Sequence, residues 1–423
     1  MRILLWHGYL LTGSGSNVYT ANIARSWRTA GHDVLLLCQE KHAAELDYVD
    51  AAGDFVGDNS GFDLKPTSAV ASAGTCHVAR PAIGDILPLY VYDEYDGVTA
   101  KLYVDLDADE LDTYVSRNVD ALVTAIREHE PHAIITGHEV MGPYIAKLHG
   151  SGLEYAVKLQ DRYRDYAVEG LGAAACVVGG SNYMVAEAGA HIPGWADRAA
   201  VVNPGCDIDI FRPTPREEPP VPNVAYVGKL IASKGVHNLL GALGCTRPRT
   251  LEVTVVGYGG FDEGLRSLAG ALTSGDKEKA QAISERGESG RLGHLADHLA
   301  TASETFWQRL REIPVEFTGR LEHGPLSRAL PYFDVLVVPS VVPEAFGMVA
   351  AEAAACGVLP IVPDHSGIGE AGRAIEDAIG RPGLLTYNPN DPLPGIAARI
   401  DALLDLDFAE RRELGLRAVD IAR

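Results

Sequence analysis

Two carboxylates inside one stretch of small residues raise the first chemical question. The segment VPEAFGMVAAEAAACG, residues 342–357, carries Glu344 and Glu352 among residues that are otherwise small or apolar. An unpaired buried carboxylate is costly, so each needs a partner or a ligand. Pro343 suits a helix start, Gly357 suits a helix end, and the alanines between them favour helix. In such a helix both glutamates point roughly to the same side, with backbones about 12 Å apart along the axis. That exceeds the roughly 5–9.5 Å between the carboxyl groups of a glycosidase pair. It is a reasonable span for gripping two ends of one elongated ligand. The helix N-terminus near Gly347 offers N–H groups to an anion between those ends. The bland alternative is that Glu344 complements the helix dipole and Glu352 lies on a wet edge.

A second group of residues points to phosphate. In YVGKLIASKG, residues 226–235, Lys229 follows a strand directly and Lys234 stands at the next helix start. Two cations placed so can flank a diphosphate, which would offset the cost of Lys234 near a positive helix end. The segment GSGSN, residues 13–17, lies between a strand and a helix, where backbone N–H groups can meet a phosphate. Val18 holds the place where a dinucleotide fingerprint needs its third glycine, which argues against a nicotinamide cofactor. His138 closes the strand-like HAIITGH, and a polar residue at the carboxyl end of a parallel strand faces the ligand crevice. Asp-x-Asp pairs at Asp105/Asp107, Asp207/Asp209 and Asp405/Asp407 fall in acidic loops or in a linker, so no metal ligand set is expected. No Gly-x-Ser-x-Gly elbow and no His-Glu-x-x-His helix occurs.

These residues must be positioned by an α/β scaffold. RILLWHG reads as a strand, GSGSNVYTANIARSWRTAG as a loop and helix, and HDVLLLCQ as the next strand. Continuous apolar strands of this kind belong to a parallel sheet covered on both faces. HAIITGH (132–138), YAVKLQ (155–160) and AACVVGGS (174–181) read as further strands, and residues 40–112 as long loops with a few strands. Residues 203–223 are crowded with proline and acid and suit a linker. The pattern then restarts with VAYVGKL, LEVTVVGYG, VEFTGR, VLVVPS and LPIVPD. The expected division is an N-terminal domain over 1–205, a linker over 206–222 and a C-terminal domain over 223–423. A polar helical insertion at about 260–314 reads as surface decoration.

Composition narrows the partners. The 423 residues are 47% hydrophobic and 22% charged, with a formal charge of −21. That balance argues against nucleic acid or an anionic membrane surface as the main partner. No stretch reaches the roughly 20 apolar residues of a membrane span. Six scattered cysteines without zinc-like spacing suit a reduced cytoplasm. The tyrosines of LPLYVYDEYDG (Tyr90, Tyr92, Tyr95) beside Asp93 and Glu94 offer a sugar-stacking surface. Lys158, Arg162 and Arg164 of KLQDRYRDY offer a hold for an anionic acceptor.

Taken in order, VVNPGCDIDIFRP, YVGKLIASKG, VVGYG and the run from FTGRLEHGPL through VPEAFGMVAAEAAACG to HSGIGE resemble glycosyltransferase family 4. These are retaining nucleotide-sugar transferases of GT-B fold. The N-terminal half matches more loosely, through GSGSNVYTANIARSWRTAGHDV and GHEV. The resemblance implies two Rossmann-like doubly wound parallel-sheet domains facing a central cleft, with the acceptor on the first and the donor on the second. It implies that Glu344 holds hydroxyls of the donor sugar and Glu352 the ribose. The N–H groups of Gly347, Met348 and Val349 would meet the diphosphate, next to Phe346 and beside Lys229 and Lys234. Lys229 stands where an arginine is usual, keeping the charge and losing the bidentate fork. Gly15 matches the second glycine of the family's N-terminal pair, Ser14 replacing the first. His138 matches the cleft histidine, Gly319 and Arg320 fall where the base usually packs, and Gly228 and Gly257 are expected in the nucleotide-sugar site. The implied reaction moves a hexose from a UDP-, GDP- or ADP-sugar to a hydroxyl acceptor, without metal or cofactor. A soluble small-molecule or saccharide acceptor, a cytoplasmic setting and a possible homo-oligomer complete the expectation. A phosphorylase or disaccharide synthase of the same fold, or a non-enzymatic nucleotide-sugar binding module, are the alternatives. The family's C-terminal helix that crosses back to the first domain is expected to be missing after GLRAVDIAR.

Overall fold

The computed structural model describes residues 1–13, 15–90, 99–137, 145–150, 152–288 and 290–422. They form two compact units, Met1–Asn203 and Pro204–Arg423.

The first unit is built on a sheet whose described strands run Ala199–Val201, Cys176–Gly179, Ile145–Leu148, Ala133–Gly137, Arg2–Trp6, Asp33–Leu37, Thr75–Arg80, Ala51–Phe55 and Phe62–Pro66 in spatial order. Neighbours are parallel except the edge pair Ala51–Phe55 and Phe62–Pro66. Ile3, Leu4, Leu5 and Trp6 are all buried, as a strand covered on both faces requires. The helix Ala108–His129 starts on a capping box, in which Asp107 and Glu110 satisfy each other's backbone N–H groups. It is tied to the sheet by Trp6 Nε1, which donates to Asn118 Oδ1 at 3.0 Å. The helix Gly15–Thr29 is anchored by buried Arg28, which donates to both carboxylate oxygens of Asp50 at 2.8 and 2.7 Å.

One expectation for this unit changes. YAVKLQ is not a strand: Leu153–Val157 is a helical turn, and the sheet position is taken by Ile145–Leu148. Apolar runs this short fit either state, and pairing partners decide between them. Residues 40–112 are, as expected, loops with a few strands, of which Ala51–Phe55, Phe62–Pro66 and Thr75–Arg80 extend the main sheet.

The second unit has a parallel sheet in the spatial order Val315–Gly319, Glu252–Tyr258, Asn223–Lys229, Val335–Val337, Leu359–Pro363 and Thr386–Tyr387. In chain order this is 3-2-1-4-5-6, the dinucleotide-fold order. Its direction of winding reverses between Asn223–Lys229 and Val335–Val337, and ligands bind at the carboxyl ends of such a pair. The helices within residues 260–314 are not surface decoration. Leu265, Leu268, Leu272, Leu295, Phe306 and Trp307 are buried in the same core as the sheet. Phe211, from the proline-rich segment, joins that core as well. The helix Phe408–Ala422 lies against the end of the Met348–Ala355 helix, so closely that a side chain at Gly415 would meet the Gly357 carbonyl oxygen. Asp334, fully buried, collects Arg216 and Arg411 at 2.8 and 3.0 Å and the Asn223 N–H at 2.9 Å. This cluster pins the 204–222 segment, the first strand and the last helix together.

Candidate functional site

The winding reversal of the second sheet gathers most of the residues singled out above. Asn223–Lys229 ends in Lys229, which is half-buried and opposite Tyr258 in register. Gly228 lies opposite Gly257, and a Cβ on Gly257 would sit 1.9 Å from the Gly228 carbonyl oxygen. Only glycine permits that approach, so this strand end is held flat against its neighbour. The chain then turns through Ala232–Lys234 into Gly235, whose φ of +73° and 1.9 Å Cβ clearance to Pro339 O again demand glycine. This close packing laces the lysine loop to the loop after Val335–Val337. Val341 N–H donates to Ser233 O at 2.9 Å across the same seam.

Lys234 and Glu344 meet at that seam. Lys234 Nζ donates to Glu344 Oε1 at 2.8 Å, and Ser340 Oγ donates to the same oxygen. Burial works against the Glu344 charge, but Lys234, Ser340 and nearby His365 outweigh it and hold the carboxyl below its usual range. Its backbone is fixed too: Glu344 N–H donates to Ser366 Oγ at 3.0 Å, and Glu344 O accepts from Gly367 N at 2.9 Å. Ser366 adopts φ +52°, which costs a non-glycine residue about 1 kcal/mol or more. His365 braces it, with Nδ1 2.9 Å from Ser366 Oγ and Nε2 3.2 Å from Ser340 O.

The helix expected from Pro343 begins only at Met348. Glu344 therefore lies in the preceding loop, and helix periodicity does not place it above Glu352. Gly347, with φ +89° and ψ +64°, turns the chain into the helix, and a Cβ there would strike Ile368 at 2.8 Å. The helix N-terminus lies at Gly347, Met348 and Val349, with Phe346 half-buried beside it. Its first N–H groups have no acceptor one turn back and face outward along the axis.

Glu352 is 6% exposed on this helix, and its Oε1 lies 3.5 Å from His323 Nε2. The Glu352 carboxylate raises the His323 pKa above the ordinary imidazole value, against the pull of burial. Arg320 stacks its guanidinium 4.8 Å from the Tyr258 ring centroid and pairs with Glu322 at 2.7 Å. Gly319 ends the strand just before it, with φ +80°.

In the first unit, the winding reverses between Arg2–Trp6 and Ala133–Gly137. Gly15 is the first residue of the helix Gly15–Thr29. The loop before it is pinned by buried His7, whose Nε2 lies 2.9 Å from Asn17 Oδ1 and whose Nδ1 lies 3.1 Å from Thr20 Oγ1. Burial pushes the His7 pKa down to about 4 and that of His149 to about 3. His138, Ser14, Tyr92, Asp93, Glu94 and Tyr95 lie outside the described residues. Of the suggested anionic-acceptor hold, Lys158 is bound to Glu154 and Glu187 at 2.7 and 2.6 Å. Arg162 donates to the Leu106 carbonyl at 2.7 Å, so these two cations serve internal contacts.

Sequence reasoning missed Ser340, Ser366, His365 and His323. Ser340, His365 and Ser366 follow the carboxyl ends of two sheet strands, a position that could have flagged them. Nothing in the local sequence ties His323 to Glu352, which is 29 residues away and meets it only through packing.

Comparison with known proteins agrees with this arrangement. The family described as Glycosyl transferases group 1 matches residues 287–406. A D-inositol 3-phosphate glycosyltransferase of Paenarthrobacter aurescens (strain TC1) is 27% identical over 288 residues, which is 64% of this chain and 59% of that protein. The chain thus spans under two thirds of that relative's length. Sucrose-phosphate synthase from Thermosynechococcus elongatus superposes with a TM-score of 0.63 at 17% identity, covering 100% of this chain and 94% of that one. The Anabaena protein HepE in complex with UDP-glucose superposes with a TM-score of 0.58 at 16% identity, covering 99% and 94%. Residues 287–406 are thus similar to Glycosyl transferases group 1, and the likeness to the solved structures shows the GT-B fold.

Proposed function

We propose that this chain transfers a hexose from UDP-hexose to a hydroxyl of a small soluble acceptor, with retention at the anomeric carbon and without a metal ion. The observation that carries the reading is the Lys234–Glu344 pair set beside the start of the Met348–Ala355 helix, at the winding reversal of a 3-2-1-4-5-6 sheet. A diphosphate needs cations and N–H donors, and a sugar needs a fixed acceptor of hydrogen bonds. Both are within one tightly laced seam. Uridine is the first base to test because HepE is known in complex with UDP-glucose. A phosphorylated cyclitol is the first acceptor to test because the Paenarthrobacter relative is named for inositol 3-phosphate.

In the reaction, an acceptor hydroxyl oxygen attacks the anomeric carbon on the face from which the diphosphate leaves. The bond from that carbon to the β-phosphate oxygen breaks, and its electron pair departs with UDP. The acceptor proton passes to the leaving phosphate oxygen. Lys229, Lys234 and the N–H groups at Gly347, Met348 and Val349 stabilise the charge that builds there. Glu344, held ionised and immobile, orients the sugar hydroxyls. Glu352 holds the ribose, and Arg320 on Tyr258 borders the base.

A thermal-shift panel with UDP, GDP, ADP and dTDP in EDTA tests the donor. A ligand at a hundredfold excess over Kd stabilises by about 2.7 kcal/mol. A shift with UDP that vanishes in Glu352→Ala supports the reading, as does turnover of UDP-hexose with a retained anomer in EDTA. A shift with another base, or turnover only on adding a divalent metal, overturns that part of it.

A further inference from the structure

We infer that His323 is a positioning residue for nucleotide recognition: it holds the Glu352 carboxylate in place for the ribose and makes that grip dependent on pH. The inference rests on the proposed role of Glu352.

The geometry is specific. Glu352 is on the Met348–Ala355 helix and nearly buried, with its side chain 8% exposed. A carboxylate with no charge partner at that depth is costly. The partner that the structure supplies is His323 Nε2 at 3.5 Å from Oε1. A carboxylate has about four lone-pair sites, so an imidazole on one oxygen leaves the other to accept from a ribose hydroxyl. His323 is itself fixed. It opens the helix His323–Ala329, and its ring meets Phe211 edge-on at 5.8 Å between centroids. Its position at a helix start disfavours a positive charge. Glu352 overrides this, with smaller help from Glu322 on the preceding residue and from Asp207 on the 204–211 segment. Glu322 is itself paired with Arg320. Cys206, beside Glu352, has its thiol pKa pushed up to about 12 by burial and by Glu352, and so stays neutral.

The sign of the pH effect follows. His323 has a raised pKa, so the charged pair persists above the ordinary imidazole value of 6.5. It is complete below that value and is lost as pH rises through the raised one. A neutral imidazole no longer attracts the carboxylate as an ion, and Glu352 loosens.

The experiment compares UDP with 2′-deoxy-UDP by calorimetry between pH 6 and pH 9. The two share their phosphate titration, which therefore cancels in the ratio of their Kd values. The unaltered chain should favour UDP by roughly tenfold to a hundredfold at pH 6, the value of a hydrogen bond to a charged acceptor. That preference should shrink as pH rises toward 9. His323→Ala should reduce it to about threefold or less at every pH. His323→Gln, which keeps an N–H donor without the charge, should retain an intermediate preference with no pH dependence. An unchanged ratio in His323→Ala, or the same pH step in His323→Gln, overturns the inference. Glu352→Gln separates this failure from that of the underlying reading. If that variant collapses the ratio while the His323 variants do not, Glu352 grips the ribose without His323. If it leaves the ratio intact, or if the unaltered chain binds no UDP, the reading of Glu352 fails and this inference with it.

Discussion

Exchange of Lys234 for methionine keeps an unbranched side chain, one atom shorter, and removes the charge. Glu344 then loses its 2.8 Å partner while Ser340 and His365 remain. At an effective dielectric of about 20, two unit charges at that distance attract by roughly 6 kcal/mol. Most of this is offset by the cost of desolvating both groups, and the net loss of a hydrogen bond to a charged group is about 1.5–3 kcal/mol. The Lys234 side chain is 32% exposed, which favours the lower half of that range. A loss of about 2 kcal/mol lowers Tm by roughly 4–8 °C for a unit of this size. The pH dependence is the sharper part. In the unaltered chain the Glu344 carboxyl is held below 4.5, so its contribution is present above 4.5 and lost as pH falls through the folded value. In Lys234→Met burial dominates and raises the carboxyl above 4.5. The variant therefore gains stability when acid neutralises it. The deficit should be largest near pH 8 and shrink toward pH 5, as read by thermal unfolding of both proteins in matched buffers. A deficit under about 0.5 kcal/mol at pH 8, or one that grows toward pH 5, refutes the claim that Lys234 keeps Glu344 ionised.

Three further outcomes follow from the same structure. Asp334→Ala leaves Arg216 and Arg411 buried without their carboxylate, and breaking such a cluster should cost about 3–5 kcal/mol in denaturant unfolding. Gly235→Ala forces a Cβ toward Pro339 O at positive φ, so it should destabilise by roughly 2 kcal/mol or more and abolish the UDP thermal shift by moving Lys234. His7, with its pKa lowered from 6.5 to about 4, stays neutral in the fold while the unfolded chain takes up a proton. Stability should therefore fall by roughly 3 kcal/mol as pH drops from 6.5 to 4, and His7→Gln should flatten that part of the curve.

What the sequence determined by itself is the layered α/β plan and the parts of the site that are local. Five of the six described strands of the second unit were legible, most of them because a parallel strand covered on both faces must be a continuous apolar run. Lys229, Lys234 and the glycine before Met348 were legible as residues at the ends of strands and the starts of helices, positions marked by local pattern alone. The periods fail where pairing decides. Residues 155–160 are apolar enough for a strand, yet Ile145–Leu148 takes the place between Ala133–Gly137 and Cys176–Gly179 instead. Tertiary structure alone decided which charges meet. Lys234 reaches Glu344 across 110 residues because Gly235 lets the lysine loop press onto Pro339. Glu344 leaves the helix because Ser366 and Gly367 hold its backbone in a loop. His323 finds Glu352 only because the fold brings residues 29 apart in sequence to 3.5 Å. Spacing along the chain fixes what is one or two turns away. Burial, and the need of every buried charge for a partner, fixes the rest.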